Sequence, residues 1–590
     1  MFVNTGAMMR DSRVFVWITG SEPKTVWPSI SLDAETQHGR RRAPRFARVR
    51  ASLLKVVLPI GILMCVTAAL LTSLVFPIRG RIPRQCVRLE KSHLHGSAGK
   101  SQSTRPCRHR RLSTVEAVHA RRWAEYQPLQ NHHVCRGACY PMPTLLNWNG
   151  EFNRPDWHFA GSHIAKLESL LAVIEALYEE DDGVNENDLV LLVDGYDIWF
   201  QLPPSVLIDR FHRLNRDADA RVKKQWEGYG FKVDFPIQPP KQNIIVTTAK
   251  DCQPDWESGS NPRYEYWPDS PLPADFYGEG TDEILPYVFD SARKYKKIRP
   301  RCVNSGMIMG TIGALRGALQ NAKEKIDKAA MSGRQLWSDQ ALFAEVIGDQ
   351  EMRRYWMRGL ASTWNGTASH DQPRDLPRHV RDIANSALEG KKFEFGIGLD
   401  YEFATIPPTC SSEDDGSFVR LDDTEMVKKE SEKSGVTGGV RVKGIPPELK
   451  GAEGPLPGLG SSWGKVPLYT DFFFGTTPVG IHHNAYVFGL KPWRLEHWWN
   501  MTWYYPHLRQ LVTKALHSNS KLTPLTRLPL REDSGNEMVY WASDDDEKTA
   551  MVFDGSNQTY ASISWDGLCQ KGDTKWHDVL FGDHKGPLII

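Results

Sequence analysis

Apolar residues recur along this chain at helical and strand spacings, broken once by a long run without any charge. Ile164, Leu167, Leu170, Leu171, Ile174 and Leu177 follow helical intervals behind Ser162, which predicts an amphipathic helix with Ser162 as its N-cap. Leu189-Val-Leu-Leu-Val193 is uninterrupted, the mark of a strand covered on both faces in a parallel sheet. Asn243–Thr248 and Met307–Met309 read as further strands, and Pro143–Trp148 as a short one ahead of an Asn-Gly turn. Helical patterning returns near Ile312–Ala330 and Ser338–Ile347. From about Tyr140, then, strands alternate with helices, and the expected fold class is an α/β sandwich.

The long run is Val56–Ile78, 23 residues with no charge between Lys55 and Arg79. At ~1.5 Å per residue it is long enough to cross a ~30 Å hydrocarbon core. It predicts a cytoplasmic tail (1–55), a transmembrane helix (56–78) and a basic stem (79–139). Residues 1–55 hold ten Lys/Arg against four Asp/Glu, and 79–125 hold twelve against three. The remainder carries 51 basic and 64 acidic residues, so the body is acidic behind a bland formal charge of +2. An acidic body does not suit nucleic acid, whose binders need a positive face. The acceptor pattern for N-linked sugar occurs at Asn365, Asn500 and Asn557, all after the run, as a lumenal body requires. Eight of the nine cysteines also follow it, an even number that permits disulfides in an oxidising compartment. Cys135 and Cys139, with His132 and His133 before them, lack a second ligand pair for zinc and read as ordinary cysteines.

Within the body, 410–463 is rich in Ser, Asp, Glu, Lys, Gly and Pro and reads as a mobile insertion. The aromatic stretch Trp493–Trp503 reads as core more readily than as a sugar-facing platform. Residues 506–590 are set apart as a C-terminal extension.

The sharpest chemical signal is Val193-Asp194-Gly-Tyr-Asp197. Two aspartates closing an apolar strand emerge at the C-terminal edge of the sheet, where open α/β sheets bind ligands. Carboxylates three residues apart on a turn can grip one hard divalent cation, which in turn can bridge phosphates. Further along come Asn304-Ser305-Gly306, Trp337-Ser-Asp339-Gln340, Gly398-Leu-Asp400-Tyr-Glu402 and Gly480-Ile-His482-His483-Asn484. In this order, over roughly 140–505 without the insertion, they resemble the glycosyltransferase domain of the procollagen lysine hydroxylase/glycosyltransferase family and its fungal relatives. No His-x-Asp…His iron triad of a hydroxylase segment follows.

The resemblance implies a GT-A-like, Rossmann-type nucleotide-sugar-binding domain with Mn²⁺ as cofactor. It places Asp194, Asp197 and His482 on the metal, and Lys166, Asp194, Asn304, Ser305 and Gly306 around the UDP-sugar. It places Asp339 and Gln340 beside the donor sugar and the acceptor hydroxyl. Asp339 has a second reading as the cap of the helix that starts beside it. The family opens on an apolar strand that cradles the nucleotide; residues 107–139 offer none. Ala485 stands where the family has glycine after His-x-Asn, and Ser338 where it often has an acid. The expectation is a single-pass, glycosylated Golgi or ER protein whose lumenal body transfers a sugar to a glycan or glycoprotein acceptor. Two other readings compete. One is an inactive glycosyltransferase-like scaffold; the other is a metal-dependent phosphohydrolase, which lacks a second cluster of metal ligands here.

Overall fold

A computed structural model describes residues 10–19 and, apart from short stretches, 140–586; the longest of these stretches are 229–237, 365–375, 518–523, 530–536, 543–549 and 564–569. Val56–Ile78, the stem and Cys135/Cys139 lie outside the described residues. Among the described residues, no helix is long and apolar enough to cross a membrane.

The Leu189–Val193 run forms β3 (Leu189–Asp194), and its alternate residues enter two different cores. Val190 and Leu192 pack with Ile164, Leu167, Leu170 and Ile174 of α1 (Ala160–Glu180) and with Leu315, Leu319 and Ile326 of α3 (Ile312–Met331). Leu342, Phe343 and Ile347 of α4 (Asp339–Trp364) join the same cluster. Leu189, Leu191 and Val193 point the other way, toward Val206, Leu207, Phe211 and Leu214 of α2 (Pro204–Gly228). The period-2 geometry of a strand thus makes this a sheet with packed layers on both faces, a mixed α/β architecture. Ser162 lies inside the first turn of α1, which already begins at Ala160.

The chain-order strands of this sheet are β1 (Arg10–Thr19), β2 (Thr144–Leu146), β3, β5 (Ile244–Ala249), β6 (Cys302–Thr311) and β7 (Ile397–Asp400). They run β2–β1–β3–β6–β5–β7 across it. β6 is antiparallel to both β3 and β5, so the sheet is mixed rather than wholly parallel. The C-terminal ends of β1, β3, β5 and β7 and the start of β6 therefore share one edge.

Three expectations are corrected. The stretch 1–55, expected as a tail without elements, contributes β1, an interior strand paired with β3 from Val14↔Leu189 to Thr19↔Asp194 and with β2 from Trp17↔Thr144 to Thr19↔Leu146. The stretch 410–463, expected to be mobile, carries β8 (Gly416–Arg420) and α6 (Thr424–Lys433). β8 pairs with β9 (Pro467–Asp471), and Val419, Leu421, Val427, Leu449 and Trp463 anchor the stretch in the core. Few apolar residues suffice because each one lands on that core. The C-terminal extension is not separate from the body. Its β12 (Glu537–Ala542) pairs with β1, its β11 (Thr526–Pro529) with β12, and its β13 (Ala550–Asp554) with β2 and with β14 (Thr559–Ile563).

Candidate functional site

Asp194 ends β3, and four residues on begins β4 (Ile198–Phe200), which pairs antiparallel with β10 (Gly480–His482). The register His482↔Ile198, with the His483 N–H donating to the Asp197 carbonyl at 2.7 Å, sets His482 beside Asp197 across 285 residues of sequence. His482 Nε2 lies 3.3 Å from Asp197 Oδ2 and 3.7 Å from Asp194 Oδ2. One ligand atom from each of Asp194, Asp197 and His482 falls within 4.8 Å of the others. The three residues that the resemblance groups lie together at the sheet edge.

The donor set suits a divalent cation of intermediate hardness: two carboxylates and an imidazole. The surroundings fit as well. His482 is buried, its Nε2 faces both carboxylates, and its Nδ1 has no hydrogen-bond partner among the described residues. Gly306 lies flat against the ring; a Cβ there would sit 2.2 Å from His482 Cε1. The position admits glycine because the imidazole occupies the space a side chain would take.

The β6 register explains how Asn304-Ser305-Gly306 reaches the site. Pairing with β5 jumps from Val246↔Ile308 to Thr247↔Asn304, an irregularity that re-aims the intervening residues. The Ser305 hydroxyl donates to Asp339 Oδ2 at 2.7 Å, and the Gly306 N–H to Asn304 Oδ1 at 3.1 Å. Asn304 Nδ2 donates to Gln340 Oε1 at 3.5 Å. Asp339 is the first residue of α4, but the cap is Ser338, whose Oγ accepts from the Ala341 N–H at 3.0 Å. Asp339 is left to turn inward.

Lys166 ties these parts together. Its buried Nζ reaches Asp194 Oδ1 at 2.8 Å, Asp339 Oδ2 at 2.5 Å and the Ser305 carbonyl at 2.8 Å. The ammonium has three donors, so these contacts occupy its capacity. Expected near phosphates, Lys166 here holds two carboxylates in place. Burial works against its charge, but Asp194 and Asp339 outweigh it and raise its pKa. Burial likewise opposes ionisation of Asp339, and Lys166 above all reverses that, holding the carboxyl below the ordinary range. Such a group is a weak base.

Sequence reasoning missed Lys491. It lies in the first turn of α7 (Leu490–Trp499), and its Nζ is 2.8 Å from Asp197 Oδ2. Burial pushes the Asp197 pKa up, but Lys491 and His482 prevail and hold it well below the ordinary carboxylate range. The available signal was a Lys-Pro pair at a helix start soon after the histidine strand. Unlike Lys166, Lys491 is about one-third exposed and can move.

Two other motif residues serve the frame. Asp400 accepts from the N–H groups of Glu402, Ala404 and Thr405 and from the Thr405 hydroxyl, which builds the turn after β7. His483 is buried between Trp199 and Trp498 with neither ring nitrogen hydrogen-bonded to a described residue, and burial holds its pKa far below the usual value. Trp499 and Trp503 are core, whereas Trp493 is exposed. Tyr196, Trp337 and Ala485 lie outside the described residues. No family model matches the chain, and no curated protein is significantly similar to it.

Proposed function

We propose that this chain is a metal-dependent glycosyltransferase of GT-A type, moving a sugar from a UDP-sugar to a hydroxyl of a glycan or protein acceptor. The observation that carries the reading is the Asp194–Asp197–His482 cluster at the C-terminal edge of an α/β sheet, with the movable cation Lys491 against it. Manganese, held by these three side chains, would supply positive charge to offset the negative charge on the departing diphosphate.

The chain's own residues do the rest. Asp194, Asp197 and His482 would hold the metal, and Lys491, paired with Asp197 and partly exposed, is placed to meet a phosphate oxygen. Lys166 keeps Asp194 and Asp339 oriented. Asn304, Ser305 and Gly306 line the sugar side of the site, with Asp339 and Gln340 facing the sugar hydroxyls as hydrogen-bond partners. Asp339, held ionised, accepts hydrogen bonds and does not shuttle a proton. The Cys252–Cys302 disulfide suits the oxidising lumen of the ER or Golgi.

Calorimetry with Mn²⁺ and UDP, run with and without chelator, tests the reading, followed by a screen of UDP-glucose, UDP-galactose and related donors. Metal-dependent UDP binding is the expected result. Equal UDP binding in chelator would overturn the metal trio. The second reading, an inactive glycosyltransferase-like binding protein, draws on the same locked Asp339. It wins if metal and UDP bind together but no donor is consumed with any acceptor.

A further inference from the structure

We infer that Arg10–Thr19 and the body from Tyr140 onward reside in one compartment, so that Val56–Ile78 does not act as a single membrane-crossing anchor. The argument starts from β1. It is an interior strand: β3 pairs along one side over Val14–Thr19, while the other side is shared by β12 over Arg10–Val14 and by β2 over Trp17–Thr19. The Arg13 N–H also donates to Asp188 Oδ1 at 2.8 Å, just ahead of β3. Arg10–Thr19 accordingly falls in the same compact unit as the described body from Tyr140 onward.

Neighbouring strands lie ~4.8 Å apart, whereas a hydrocarbon core is ~30 Å thick. β1 cannot pair with β3 across a bilayer. A chain that crosses once between residue 19 and residue 144 leaves β1 on one side and all of its partners on the other. The body would then lack an interior strand, with the hydrogen-bonding edge of β3 unpaired in the middle of the sheet. Buried backbone groups without partners are strongly disfavoured.

Crossing twice would satisfy the sheet, but it requires a second apolar run of ~20 residues. The sequence provides none: 20–55 and 79–139 are both interrupted throughout by charged residues. That leaves no crossing. The conclusion is independent of the reaction proposed above, because it uses only strand register and chain order. The exposed acceptor asparagines Asn500 and Asn557 and the disulfide speak for the lumen as that compartment.

Two experiments on the full chain test this. With epitope tags at both ends, protease treatment of sealed microsomes is expected to protect both tags or cut both. One tag protected and the other cut would overturn the inference. Ile18→Pro removes a backbone N–H from a strand paired on both sides at that residue, opposite Leu145 and Val193. It is expected to lower the thermal midpoint of the body by roughly 10 °C or to abolish a cooperative transition. An unchanged melt would show that β1 is not in the sheet and would equally overturn the inference.

Discussion

Asp197 receives three demands at once: a main-chain carbonyl bonded to His483, an ion pair with Lys491, and a place in the metal trio. Only the last two need its charge. Asp197→Asn keeps the shape and should therefore leave the fold intact while weakening Mn²⁺ binding by at least tenfold, since even loss of a residue that merely supports a metal ligand costs about 10–100-fold. Titration calorimetry reads this directly, and metal-dependent UDP binding should fall with it. Gly306→Ala attacks the same site from the other side. The new Cβ would meet His482 Cε1 at 2.2 Å and Nδ1 at 2.5 Å, so the imidazole must move. The expected result is lost metal binding with a stability cost of about 1–3 kcal/mol, the usual range for overpacking. Normal Mn²⁺ affinity in this variant would mean that His482 is not a ligand. The two aspartates were legible from the sequence because they close an apolar strand, whereas His482 joined them only through what the family resemblance implies. Lys491 was not legible, since a lysine at a helix start usually faces solvent and nothing local marks the carboxylate it meets.

At the scale of elements, β6 owes its position to a covalent tie at its first residue. Cys302 is bonded to Cys252 at a sequence separation of 50, next to the register irregularity that aims Asn304–Gly306 at the site. In the chain-entropy picture, closing a loop of that length is worth about 4 kcal/mol. Cys252→Ser/Cys302→Ser should lose about 2–4 kcal/mol by chemical denaturation; a loss near zero would mean the crosslink does not constrain the chain. The stretch 410–463 makes a second case. Asp471 at the end of β9 is buried beside Asp415, which pairs with the buried Lys250. Burial, and then the nearby Asp415 charge, push the Asp471 carboxyl up to about 7. The folded state thus holds a proton that the unfolded chain releases near pH 4, so stability falls as pH rises from about 4 through 7. Asp471→Asn keeps an oxygen for the Phe473 and Phe474 N–H groups and cannot ionise. It should flatten that slope and exceed the wild type in stability at pH 8 by up to about 3 kcal/mol. Identical pH profiles for the two proteins would show that Asp471 ionises freely in the fold. This order escaped sequence reading because polar composition was weighed over 54 residues, whereas the burial rests on five scattered apolar side chains.

For the whole molecule, the sheet is assembled from segments far apart in sequence, and that is where the sequence alone was least informative. β1 was grouped with a basic tail because its apolar half, Val14–Ile18, is short and all its partners lie beyond residue 140. The same separation hid the role of 506–590. β12 covers the first half of β1, and β13 covers β2, so these strands close an edge that would otherwise lie open. Side chains follow the backbone: Tyr540, Leu580 and Phe581 enter the core beneath α2, and Val552 joins them. The Tyr540 hydroxyl and His212 Nε2 share a hydrogen bond at 2.6 Å, and burial holds the imidazole pKa down to about 4. Trp499 Nε1 donates to the Leu580 carbonyl at 3.2 Å, and Arg509 pairs with Asp583 at 2.6 Å. Removing 506–590 would therefore uncover the backbone edges of two interior strands and take these four side chains out of the core at once, at about 1.5–3 kcal/mol for each large apolar side chain alone. The typical domain has only about 5–15 kcal/mol to lose. A chain ending at residue 505 is expected to show no cooperative thermal transition and to bind neither Mn²⁺ nor UDP. A sharp melt from the truncated chain, with metal binding retained, would instead mean that the first 505 residues hold the site without the C-terminal strands.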